Sequence, residues 1–518
     1  MEDFSDLQMP HPTGEGELVP ASGSELALIA ETFKGRVHVQ WDPDAAVTPL
    51  GQLAFFVDFL KTADLFGPWV SECPLRYTSN NAPKPVDVLG TLLLSVLAGH
   101  RRYAHITSVR CDKVNPALLG MSKVASVDSA RRAFSGQDPR QCQDWQRRHL
   151  TRCYEQLLDR AWILDVDTSV KVLYGHQEGA VRGYNPKKPG RPSHVLHTYF
   201  MANTRVVLDV ETRPGNETAA HYTMPGLWEF LDGLKPGQRP AFVRGDCAFG
   251  NGRDMDDAEA RGIHYLFKLR QTSGVKALIR QLFGQDAWTP AGQGWEGADA
   301  SLRLRGWTRS RRVVVLRRRL RGGLAVRRDN AELGQTELAC VELCEGGVAH
   351  EYAVLVTSLA DPLETLAQHY RDRADAENVH DELKNQWGWG GYTTHDLHRC
   401  QVMARIVAQV YNWWSLYAGL ALPDRHAEAI TSRPLLLHAV GKQVRHAGKT
   451  VLFLTSMHAQ ARMMERCLRA VGAFLEHIRS TARQLTWDER WRLILDRVFA
   501  RFLRRTEPGP APPLPAPA

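Results

Sequence analysis

Hydrophobic positions change their period several times along this 518-residue chain. From about residue 50 to 155 they recur at helical spacing, in "GQLAFFVDFLKTADLF", "PVDVLGTLLLSVLAG" and "SVDSARRAF". In the last of these, Ser126 or Asp128 is placed to cap a short helix that carries Arg131 and Arg132. From about residue 160, β-branched and aromatic runs take over. Strands are expected over "AWILDVDTSVKVLYG", "SHVLHTYFMA", "RVVLDVETRPG", "PAFVRGDCAFG" and "IHYLFKLR", with helices over "AAHYTMPGLWEFLDGL" and "GRDMDDAEARG" between them.

Strands alternating with helices predict an α/β layer, with a mixed sheet because the first three strands follow one another through short turns. That order fits a ribonuclease H-like core over 156–272, completed by 362–420. Between these halves, residues 273–361 form a β-rich basic insertion with short runs such as "RRVVVLRRRL", "GLAVRR", "TELACVEL" and "EYAVLVTS". Residues 36–155 are expected to be a helical domain. Its short basic helix resembles a helix-turn-helix, so DNA contact stands there beside a plain scaffold role. Residues 421–505 are expected to be helical, 1–35 a flexible N-terminus and 506–518 a proline-rich tail.

The net charge of +8 favours a polyanionic partner. Its distribution is more telling. Between Ser301 and Arg328 the chain has arginine at 303, 305, 309, 311, 312, 317, 318, 319, 321, 327 and 328 and no acid. Arginine suits bidentate phosphate recognition, so Arg311, Arg312, Arg317, Arg318 and Arg319 are candidate DNA contacts. Trp295 and Trp307 are placed either to stack on an unpaired base or to be buried. The nine cysteines lack metal-ligand spacing and read as reduced thiols. Neither apolar stretch, 86–99 or 406–422, spans a bilayer comfortably. A cytoplasmic protein is expected.

Three carboxylates stand out. Asp165 and Asp167 in "LDVDTS" are two apart on a strand and share a face. Asp246 in "VRGDCAFG" closes an apolar strand, where open α/β sheets bind ligands. The third, Glu377, lies in "YRDRADAENVHDELK" (370–384). On one continuous helix, Tyr370, Arg373, Glu377 and Lys384 fall within an arc of about 60° while Asp372, Asp375 and Glu382 point the other way. Asp381 is one turn beyond Glu377 on the same face. The bland alternative is a surface helix with salt bridges.

"DVDTS", "VRGDCAFG" and the spacing Tyr-x2-Arg-x3-Glu-x6-Lys resemble the two Asp motifs and Y-R-E-K helix of DDE transposases of bacterial insertion sequences. The segments at 174–194 and 213–216 are also similar to one branch of that class, and the resemblance covers roughly 50–420. It implies Asp167, Asp246 and Glu377 as catalytic and metal-binding residues, with Asp167 preferred over Asp165 because a Thr follows it. It also implies that Tyr370, Arg373 and Lys384 contact the DNA backbone near the cut. Two Mg2+ (or Mn2+) ions would activate water to cut the element's end, and the 3′-hydroxyl would then attack target DNA. The implied partners are double-stranded DNA, both terminal inverted repeats and target, with a homodimer and nucleoid association. A ribonuclease H-like nuclease without strand transfer, or an inactive DNA-binding relative, are the alternatives.

Overall fold

The computed structural model describes residues 28–320, 344–345 and 348–503, apart from Thr78, Asn80, Lys187, Thr218, Ala482 and Arg483. Residues 1–45 and 46–518 are two compact units. In the first, β1 (Leu28–Thr32) and β2 (Gly35–Val39) pair antiparallel. Gly35 adopts φ +113° in the tight turn, a conformation open to glycine. A strand pair therefore begins inside the stretch expected to be flexible. Residues 1–27 and the proline-rich tail lie outside the described residues.

The second unit opens with β3 (Val47–Thr48) and a set of helices. Leu53–Thr62 and Pro85–Leu97 occupy the two long apolar segments. Pro85 sits in the first turn, where a missing N–H costs nothing. The cap of Val127–Arg132 is Ser126, whose side chain accepts from Ser129 N at 3.1 Å.

Next come β4 (Ile163–Val172), β5 (Val181–Arg182), β6 (Pro192–Met201), β7 (Val206–Pro214), β8 (Phe242–Gly245) and β9 (His264–Lys268). The insertion supplies β10 (Thr289–Gly292), β11 (Trp295–Leu302), β12 (Arg311–Arg319), β13 (Cys344–Glu345) and β14 (Val348–Thr357). These strands make one mixed sheet in the order β10-β11-β12-β14-β9-β8-β4-β6-β5, with β7 also on β6 and β13 on β14. Strands β4, β8 and β9 are parallel, whereas β6, β7 and β14 join antiparallel. The β-rich insertion thus extends the sheet past β9. It opens with a helix, Ser273–Gln281, that the β-branched runs did not announce. The runs "GLAVRR" and "TELACVEL" lie outside the described residues.

Helix Leu397–Ala421 packs on β7 and is buried on nearly every side. This explains Asn412 within an apolar run: its side chain accepts from Val207 N at 2.9 Å and donates to Val207 O at 2.8 Å. A buried amide so paired escapes the desolvation cost of a lone polar group. Among the described residues no helix is long and apolar enough to cross a membrane, and Cys73, Cys111, Cys142, Cys153, Cys247, Cys400 and Cys467 are free thiols.

The C-terminal region departs from the all-helical expectation. After helix Ala429–Leu436 come β15 (Gly441–His446) and β16 (Lys449–Leu454), which join β3 in a small antiparallel sheet. Only then do helices Ala461–Thr481 and Trp487–Leu503 follow. The physical reason is local. Val444, Thr450 and Val451 are β-branched, and Ala447 (φ +48°) and Gly448 (φ +75°) form a two-residue turn that matches strand twist.

Candidate active site

The parallel pair β4 and β8 sets the site. Asp165 stands opposite Arg244 in register; continuing two residues along both strands brings Asp167 beside Asp246, just past the end of β8. Side chains two apart on a strand share a face, so the four groups face one side of the sheet. Arg244 donates to Asp165 through Nε at 2.5 Å and Nη2 at 2.7 Å, both side chains being almost fully buried. Asp165 is consumed by this bidentate pair.

Asp167 remains partly open. Its Oδ1 accepts from Thr168 N at 2.8 Å, and its Oδ2 lies 3.1 Å from Arg373 Nη2. Burial pushes its carboxyl above the usual range, against the pull of Arg373. Asp246 is held in a turn, its Oδ1 accepting from Ala248 N at 2.8 Å. Burial and then the charge of Asp167 raise it as well. Burial thus raises both carboxyls, with a smaller contribution from Asp165 at Asp167 and from Asp167 at Asp246.

The stretch 370–384 is two helices, Leu363–Arg371 and Ala374–Gln386. At the junction the hydrogen bonds tighten to i→i+3, with Arg373 N to Tyr370 O at 3.2 Å and Ala376 N to Arg373 O at 2.9 Å. Arg373, nearly fully buried, also donates from Nη1 to Glu377 Oε1 at 3.0 Å. Its Nε is buried with no hydrogen-bond partner among the described residues. Glu377 itself is 65% exposed. Tyr370 is half-buried, and burial raises its hydroxyl pKa, with Asp246 and Glu377 adding to the rise. Lys384 is near enough to lower the pKa of Asp167.

Other acids of the stretch are engaged elsewhere. Asp375 pairs with Arg205 at 2.8 Å, and Asp381 accepts from Asn385 at 2.7 Å. Glu382 is buried rather than on an outer face, accepting from Trp387 Nε1 at 3.0 Å and Ala429 N at 2.9 Å and meeting His426 at 3.1 Å.

His380 joins the site without having been expected there. Its Nε2 lies 3.0 Å from Thr198 Oγ1 and 3.7 Å from Asp167 Oδ2. Burial, followed by Lys384 and Arg373, lowers it to about 3, so the ring is neutral. Its place one turn beyond Ala376 on the buried face was the available signal. Arg244, in the same motif as Asp246, was likewise visible but unassigned.

Residues 75–474 match the family described as transposase DDE domain group 1. The chain belongs to the DDE transposases. It is therefore a DNA transposase, an enzyme of the class that cuts DNA strands and transfers their ends. Among solved structures it is similar to the cryo-EM structure of the piggyBac transposase synaptic complex with hairpin DNA, at 9% identity and a TM-score of 0.37, over 87% of this chain and 85% of that one. No curated protein matches it.

The arginines of this transposase's insertion are less free than their sequence run suggests. Arg311 meets Asp256 at 2.5 Å and Glu259 at 2.9 Å; Arg312 meets Asp299 at 2.8 Å; Arg317 meets Glu296 at 2.8 Å; Arg318 pairs with Glu351. Arg319 is exposed and makes no ion pair among the described residues. Trp307 is buried and Trp295 half-buried beneath Arg318. The acids come from the helix Gly252–Ala260 and from neighbouring strands, so a run without local acids is neutralised in three dimensions.

Proposed function

We propose that Asp167, Asp246 and Glu377 are the catalytic carboxylates of this transposase, acting on the ends of a mobile DNA element in Mg2+ or Mn2+. The observation that supports this reading is that Asp167 and Asp246 follow the paired Asp165 and Arg244 by two residues on β4 and β8 and that the charge of Asp167 acts on Asp246, with Asp165 already neutralised by Arg244. Hard carboxylate oxygens suit Mg2+. Among the described residues no three His, Cys, Asp or Glu side chains are gathered as a metal cluster, and Arg373 stands between Asp167 and Glu377. The pair Asp167 and Asp246 fits a divalent cation, and Glu377 joins the donor set by turning its exposed carboxylate away from Arg373.

A bound divalent ion would supply Lewis-acid activation of the attacking and leaving oxygens. The chain's own residues do the rest. Arg373, released from the carboxylates and carrying an unpartnered Nε, presents its guanidinium to a backbone phosphate. Tyr370 and Lys384 flank it, completing the Y-R-E-K arrangement. Neutral His380 hydrogen-bonds Thr198, whose hydroxyl donates to Asp167 O at 2.9 Å and so steadies that residue. Of the five candidate arginines, Arg319 is the one with no ion pair among the described residues, with Arg311, Arg312, Arg317 and Arg318 reaching phosphate only by exchanging their present carboxylates. The proposed partner is double-stranded DNA, bound by a homodimer that holds two ends together.

The test is strand transfer by the full chain. A duplex ending in a pre-cut terminal repeat with a free 3′-hydroxyl is incubated with plasmid and Mg2+. Joined product supports the reading. Nicking without joining would assign a nuclease instead.

A further inference from the structure

The unexpected hairpin β15–β16 sits in the longest acid-free part of the C-terminal region: no Asp or Glu occurs between Glu428 and Glu465. Its cations differ from Arg311, Arg312, Arg317 and Arg318 of β12, which are ion-paired. Lys442, Arg445 and Lys449 are exposed, and none is ion-paired among the described residues. The neighbouring Arg433, in contrast, is buried and donates to Gln386 O at 2.7 Å and Val96 O at 3.0 Å. Three exposed cations without an ion pair among the described residues therefore share this one hairpin.

The register disposes it on both faces. Lys442 lies opposite Phe453, and His446 opposite Lys449, on one face; Arg445 lies opposite Thr450 on the other. Phe453 is 60% exposed beside Lys442. Charge on both faces does not suit docking against a protein core. It suits a ribbon lying between two rows of phosphates, and the major groove, about 12 Å wide, admits a two-stranded antiparallel ribbon. The base is fixed and the tip open. Gln443 N bonds Ala46 O at 2.8 Å and Gly51 N bonds Ala439 O at 2.7 Å. A Cβ at Gly51 would meet Leu454 at 2.6 Å, so glycine permits this close packing.

We propose that β15–β16 is a DNA-docking ribbon in which Lys442, Arg445 and Lys449 contact the phosphates of duplex DNA outside the carboxylate site. The proposal rests on the transposase reading for its choice of partner. Each phosphate contact releases counterions, so removing three lowers the slope of log K against log salt by about 2 to 3.

Full-length K442A/R445A/K449A is compared with wild type and with K235A/R253A/R492A, which removes the same charge from exposed positions outside the hairpin, by fluorescence anisotropy on a labelled mixed-sequence duplex across a salt series. The expected result is at least tenfold weaker binding and the reduced slope for the hairpin variant alone, with its melting temperature unchanged. Equal losses in both variants would report net charge only and overturn the proposal, as would no loss in either. Phe453→Ala that halves the mass in solution without changing DNA affinity would reassign the hairpin to contact with a second copy. Wild-type protein that fails to bind duplex DNA overturns both the ribbon and the DNA reading, whereas binding that survives the hairpin substitutions overturns the ribbon alone.

Discussion

Arg373 Nη2 lies 3.1 Å from Asp167 Oδ2 while its Nη1 lies 3.0 Å from Glu377 Oε1, so one buried guanidinium joins the first and third candidate carboxylates. It occupies the position of charge balance that a divalent ion would take over. Arg373→Gln leaves Asp167 buried without its cation, and one-sided loss of a buried pair costs about 3 to 5 kcal/mol. Urea unfolding in EDTA is expected to show that loss, with Mg2+ restoring part of it in the variant and less in wild type. Identical unfolding curves would show that Arg373 does not carry this balance.

Asp167 and Asp246 both titrate above the ordinary carboxylate range. The native state therefore holds protons that the unfolded chain releases, and stability falls as pH rises through the raised values. Their contribution is fully present below the unfolded pKa of about 4. Asp246→Asn is expected to be more stable than wild type in EDTA at pH 7, with the difference closing below about pH 4. Melting curves across pH check this; a gap independent of pH would point to packing instead of charge.

Asp165 and Arg244 form the buried pair that leaves Asp167 as the open carboxylate. Asp165→Asn strands a buried guanidinium and is expected to cost about 3 to 5 kcal/mol in chemical denaturation, while Asp165→Leu with Arg244→Met recovers most of it. Failure of the double variant to recover would mean that the bond from Arg244 to His369 O, and not the ion pair, carries the stability.

Glu377 and Glu382 sit five residues apart and are expected to behave oppositely. Glu377 is exposed, so Glu377→Gln changes stability by no more than about 0.5 kcal/mol. Burial works against the charge of Glu382, but the bonds from His426, Trp387 and Ala429 overcome it and hold its pKa low. Glu382→Gln loses about 1 to 3 kcal/mol. Because that pKa is lowered, the loss is full above about pH 4 and fades as the solution becomes more acidic. Denaturant midpoints for the two variants at pH 7 and pH 3 measure both claims.

Much of the sheet was legible because its strands are locally distinct: β4, β6, β7, β8 and β9 each carry an apolar run between turn residues. The shared face of Asp165 and Asp167 follows from strand alternation alone. Their separation into a paired and an open carboxylate does not, since it depends on Arg244, 79 residues away. The tightened turn at Asp372–Arg373 was hidden because both residues tolerate helix. Charge was hardest to read. Arg311 and Arg312 look free in sequence, yet Asp256, Glu259 and Asp299 reach them across strands and helices. The hairpin at Lys442–Lys449 carried its signal in Ala447-Gly448 and its β-branched neighbours, but lay between helical segments that dominated the pattern.

The central claim is that Asp167, Asp246 and Glu377 act together on DNA. Its most direct measurement is cleavage of a duplex carrying the element's terminal repeat, in Mg2+, by wild type, Asp246→Asn and Glu377→Gln proteins that are each shown to fold and bind that duplex. The account predicts that both variants bind but lose cleavage by at least about a hundredfold, in line with loss of a group needed only in the transition state. Cleavage by either variant at the wild-type rate would contradict it.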